Sequence, residues 1–164
     1  MGSDLGRRLA AEALGTGLLV LFGAGSVVAA LTVGGGRLDY AGLGMVAIAF
    51  ALVVAVVIYA FGTTSGAHIN PAVTIGLAAR GRFPLGEAGP YIVAQAGGAI
   101  VGALLVVAAF GGQAVDLGGT GGTALADGVS LVRGVVVEAI GTFLLMTAIF
   151  ALAVDRRAPT GWAG

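Results

Sequence analysis

Apolar residues run along this chain in four long blocks, residues 9–33, 42–61, 91–110 and 131–154, separated by more polar stretches. Each block is close to the roughly 20 residues a helix needs to cross a ~30 Å hydrocarbon layer, so each predicts a membrane-spanning helix. Between the second and third blocks the pattern changes. There Ser65-Gly66-Ala67-His68-Ile69-Asn70-Pro71-Ala72-Val73-Thr74 places a helix start in an apolar setting. Asn is a favoured N-cap, and Pro at the first helical position gives up no hydrogen bond and already has a helical φ. Asn70 therefore caps and Pro71 opens a helix that runs through Ala72 to Ala79 and stops at Arg80-Gly81-Arg82. About nine residues at ~1.5 Å each reach roughly 14 Å, half the hydrocarbon thickness. The pattern thus predicts an all-α integral membrane protein with four spanning helices and one re-entrant half-helix at about residues 70–80.

Residues 111–130 are a run of Gly, Thr, Ala and Asp without periodicity, which reads as a flexible exterior connection. The expected organisation is a first unit over residues 1–110, this connection, and the start of a second unit over 131–164.

Composition supports the membrane class. Of the 164 residues, 58% are hydrophobic and 10% charged, far below the roughly 25% of soluble domains, and the mean hydropathy is +1.05. The formal net charge is +0 and the basic residues, all Arg, are scattered, which argues against a nucleic-acid surface. Without Cys there is no disulfide, thiolate metal site or cysteine nucleophile, and a single His gives no support for a protein metal site. No cofactor is implied. Nor is an enzyme, because neither a nucleophile–base pair nor a metal cluster is visible. Arg7, Arg8, Arg80, Arg82, Arg156 and Arg157 fall on one side of the predicted topology and only Arg37 and Arg133 on the other. The positive-inside rule then places the N-terminus in the cytoplasm. A cleavable signal peptide ending near Ala29 and Ala30 is the alternative reading of the first block. Glu12 within that block and the further spans favour an uncleaved anchor.

An internal repeat is the second strong signal. Ala11-Glu12-Ala13-Leu14-Gly15-Thr16-Gly17-Leu18-Leu19 returns as Val137-Glu138-Ala139-Ile140-Gly141-Thr142-Phe143-Leu144-Leu145, a spacing of 126 residues. Three spans separate the two starts, so the second copy enters the membrane from the opposite side. Inverted repeats of this kind place a transport site at the midplane and line it with broken helices. Two carboxylates inside apolar helices, each costing about 2.5–3.5 kcal/mol at a helix centre, speak against chance similarity. Gly98 and Gly102 have the GxxxG spacing of closely packed membrane helices.

Three features together resemble the aquaporin, or major intrinsic protein, family over residues 9–164: the SGAHINPAVT segment, the Glu-Ala-x-Gly-Thr starts of the first and fourth spans, and Tyr91-Ile92-Val93-Ala94-Gln95 at the third. The resemblance implies a right-handed helical bundle of six spans and two half-helices whose Asn-Pro-Ala starts meet at mid-membrane. Asn70, Pro71 and Ala72 supply one such start. The repeat spacing carries Asn70 to position 196, past residue 164, so the chain is expected to be a truncated, bacterial-type member that does not conduct alone.

The implied function is a passive channel for water in the cell membrane, with a glycerol or small-neutral-solute facilitator and a non-conducting membrane module as alternatives. A homotetramer is implied for the full-length form. By alignment on Asn70, Phe50 falls where water-selective members carry Phe and so becomes the candidate filter residue; packing is its plainer reading. The family pattern further implies that Glu138 braces the first half-helix loop near His68, and pseudo-symmetry that Glu12 braces a second loop; Gln95 is expected to bond loop backbone. His68 is read as a hydrogen-bonded loop residue in preference to a pH gate.

Overall fold

The computed structural model describes residues 4–117 and 119–158. Four helices in it are long and apolar enough to cross a membrane: α1 (Leu5–Val33), α2 (Tyr40–Ser65), α4 (Leu85–Phe110) and α6 (Leu131–Val154). Between α2 and α4 lies the short α3 (Pro71–Ala79). A four-residue helix, α5 (Gln113–Asp116), and a 3-10 turn (Gly119–Gly121) follow α4.

Helices α1 and α2 begin earlier than their apolar blocks because short polar side chains cap them. The Asp4 carboxylate accepts from the Gly6 N–H at 3.4 Å and the Asp39 carboxylate from the Gly42 N–H at 2.7 Å. Helix α2 also runs one turn past its apolar block. It ends where Gly66, at φ 89°, takes the left-handed conformation that stops a helix without cost to a Cβ-free residue. Pro84 precedes α4, and Pro90 sits within it.

The chain divides into two units, one ending at Gly122 and one beginning at Thr123. In the first, α1 packs along α4 and against α2. Its crossing with α4 depends on glycine. A Cβ at Gly98 would overlap the Ala13 carbonyl oxygen, and one at Gly102 would lie 2.5 Å from the Gly17 carbonyl oxygen. The GxxxG pair therefore brings two backbones into direct contact, which is how helices associate where lipid removes the hydrophobic drive.

Part of the supposed flexible connection is packed. Ala114 of α5 is fully buried in a cluster with Val28 and Val106. Apolar residues at spaced positions, which pattern reading passed over, hold it there. In the second unit, Ser130 caps α6 and its Oγ accepts from the Arg133 N–H at 3.4 Å. The helix widens to π geometry over Phe150–Val154 and stops at Asp155, which pairs with Arg157 at 2.7 Å. The Arg157 guanidinium holds the Asp155 carboxyl below its ordinary pKa.

Candidate functional site

The turn into α3 is built against backbone preference. After Gly66, Ala67 has φ 47° and Ile69 has φ 41°, both in the left-handed region. That region is unusual for any residue with a Cβ and a true outlier for a β-branched one. Such conformations cost on the order of 1–3 kcal/mol each and persist only where surrounding bonds over-determine them.

The over-determination comes from Glu12. The residue is 0% exposed, about two turns into the spanning helix Leu5–Val33. Glu12 Oε1 accepts from the Ser65 hydroxyl at 2.7 Å and from the His68 N–H at 2.9 Å; Oε2 accepts from the Ile69 N–H at 2.7 Å and from Gln95 Nε2 at 2.8 Å. Four donors on one carboxylate satisfy a group that would otherwise be prohibitively costly to bury. The Ser65 hydroxyl also accepts from the Ala67 N–H at 3.1 Å. Room for the loop comes from Gly15, where a Cβ would stand 2.7 Å from Ile69 Cγ2 and 2.8 Å from Val57 Cγ1. Ala67 and Ile69 complete an apolar cluster with Val53 and Val57.

Asn70 then starts α3. Its Oδ1 accepts from the Ala72 N–H at 2.8 Å, Pro71 fills the first position, and no acidic residue stands in the first turn. The first turn of the short helix holds no carboxylate of its own, and the Glu12 carboxylate is spent on the N–H groups of residues 68 and 69 just before it. Asn70 Nδ2 takes no part in the cap.

Thr74, fully buried one turn on, joins the helix to the rest of the cluster. Its hydroxyl donates to the Asn70 carbonyl at 3.2 Å and accepts from Gln95 Nε2 at 3.0 Å, while His68 Nδ1 lies at 3.1 Å. The imidazole is thereby tied through the Thr74 hydroxyl to the first turn of α3. Around the imidazole stand Phe83 at 4.7 Å edge-on and Tyr91 at 5.2 Å. Tyr91 donates to the Ser65 carbonyl at 2.9 Å and accepts from Arg8 Nε at 2.8 Å. Arg8 in turn pairs with Glu87 at 2.6 Å and lies over the Phe83 and Tyr91 rings.

The structure thus brings together Asn70, Pro71, Ala72, His68, Glu12 and Gln95, and adds Ser65, Thr74, Tyr91 and Arg8, which the motif reading leaves without a role. The roles given to Glu12, Glu138 and Gln95 are corrected. The carboxylate that braces this loop is Glu12, the one expected to brace a second loop, because α1 is packed where the His68 and Ile69 N–H groups point. Glu138, to which sequence analysis gives that role, is exposed on α6 in the second unit. Gln95 reaches the Glu12 carboxylate and the Thr74 hydroxyl in place of loop backbone, since Glu12 and Ser65 already take up the loop N–H groups. Phe50, the candidate filter residue, sits on α2 with its ring over Gly23 of α1.

The comparisons with known proteins agree with this architecture. A sequence model of the major intrinsic protein family matches residues 2–162. A probable aquaporin AqpM of Archaeoglobus fulgidus is 47% identical over the whole of this chain and 72% of its own length. Aquaporin AqpM of Methanothermobacter marburgensis is 43% identical over 98% of this chain and 71% of its own. Aquaporin Z of Photorhabdus laumondii is 43% identical over 96% of this chain and 69% of its own. The chain belongs to the major intrinsic protein family. It is a multi-pass membrane protein of a channel family and not an enzyme.

Proposed function

We propose that this chain forms the wall of a passive water channel, with its N-terminus in the cytoplasm and its pore passing the start of α3. The observation that carries the reading is the Asn70-capped helix start, set by buried bonds among apolar helices and free of acidic residues in its first turn. A helix N-terminus presents roughly +0.5 of an elementary charge, which opposes cations and protons while a neutral molecule passes. The Asn70 amide, whose Oδ1 is occupied by the cap, offers its NH₂ to the oxygen of a passing water. The name aquaporin carried by the relatives supports water as the solute, and Phe50 favours water over glycerol by narrowing the passage. In the proposed assembly four subunits associate, each holding its own pore.

Osmotic swelling of vesicles containing the chain, alone and joined to the remaining segment of an aquaporin relative, tests the proposal. Swelling above protein-free vesicles in either form is the expected result, with the joined form the faster; baseline rates in both would leave a non-conducting membrane module. Glycerol uptake matching water uptake would replace the solute with a larger neutral one. In the conducting form, Asn70→Asp places a negative charge at the helix start and is expected to raise cation leak measured with a potential-sensitive dye. Unchanged leak would remove the electrostatic account.

A further inference from the structure

Helices α1 and α2 meet at a place that neither the Glu12 bonds nor the Gly98 crossing uses. Over Leu19–Ala24 a turn of α1 widens to π geometry, and Gly23 is buried within it. The Gly23 carbonyl accepts from the Ser26 hydroxyl at 2.6 Å. Widened turns insert an extra residue, re-aim their neighbours and concentrate at functional positions. The ring of Phe50 occupies the space above Gly23. A Cβ built there would stand 2.6 Å from Cε1, 2.8 Å from Cδ1 and 3.0 Å from Cζ. Phe50 as a residue is 37% exposed, so one side of it is left uncovered by the described residues.

We propose that Gly23 is a specificity-determining position: its missing side chain lets Phe50 retract against α1, and any side chain there drives the ring toward its open side and narrows the passage. The flow consequence rests on the reading of Phe50 as a lumen residue. Gly98 and Gly102 face backbone, so a Cβ at either forces helices apart. Gly23 faces the far end of a side chain that can swing, so a Cβ there moves a ring and leaves the helix positions in place.

The test places 4-fluorophenylalanine at position 50 of the 164-residue chain in lipid vesicles and records its fluorine resonance. Gly23→Ala is expected to shift that resonance and to increase its broadening by a water-soluble paramagnetic ion. An unmoved resonance in folded protein overturns the proposal. In the conducting form, Gly23→Ala is expected to lower water flux several-fold, and Gly23→Ala/Phe50→Leu to recover it. Equal loss with and without Phe50 would make the effect one of helix packing and overturn the proposal. Phe50→Leu alone tests the lumen reading. If it leaves the water-to-glycerol ratio unchanged, that reading falls and the resonance shift alone decides the position of the ring. If it changes the ratio while Gly23→Ala moves neither resonance nor flux, the reading stands and the inference fails. Should Gly23→Ala not fold, the pair with Phe50→Leu must fold; a pair that also fails locates the requirement in the backbone and overturns the proposal.

Discussion

Glu12 and Glu138 stand at matching places in two copies of one sequence pattern, and their surroundings differ completely. Glu12 is fully buried and accepts from four donors; Glu138 is exposed on α6. The glycines three residues on differ in the same way. Gly15 makes room for Ile69 and Val57, whereas a Cβ at Gly141 would meet nothing within 4 Å. A carboxylate and a glycine one turn apart on an apolar helix therefore form a socket, and the socket becomes a structural anchor only when a loop brings N–H groups into it.

The contrast can be broken from the filled side first. Glu12→Ala strands two backbone donors, at roughly 1–3 kcal/mol each, and frees Ser65 and Gln95 as well. We expect this to be the largest loss, read as a lowered midpoint in denaturant unfolding from mixed micelles, with a loop that becomes open to protease. Gly98→Ala forces α1 and α4 apart and is expected to cost about 1–3 kcal/mol in the same assay. Tyr91→Phe removes one bond to the Ser65 carbonyl and one from Arg8, a loss of about 1 kcal/mol. Glu138→Gln takes a carboxylate off an apolar span where it anchors no loop, and is expected to cost nothing or to stabilise. A Glu138→Gln loss equal to that of Glu12→Ala would erase the comparison.

The sequence makes the helix start at Asn70 legible because capping is local: an acceptor side chain, then a residue with no N–H to lose. The four spans are legible too, since hydrocarbon demands long apolar runs, although their ends are hidden in polar caps such as Asp4 and Asp39 that hydropathy discounts. Pairings across the fold are another matter. Nothing local to Glu12 or Glu138 says which of them meets the N–H groups of residues 68 and 69, because that depends on how α1 lies against α2 and α4. Tyr91 and Arg8 escape notice for the same reason: 83 residues separate them in sequence. The left-handed conformations of Ala67 and Ile69 have no signature in residue type at all.

Those two conformations bear on how the protein is made. A segment held in disfavoured backbone geometry cannot organise itself as it leaves the ribosome, and two of its partners, Tyr91 and Gln95, emerge later on α4. The segment over residues 65–70 therefore completes its bonds only once α4 has docked against it.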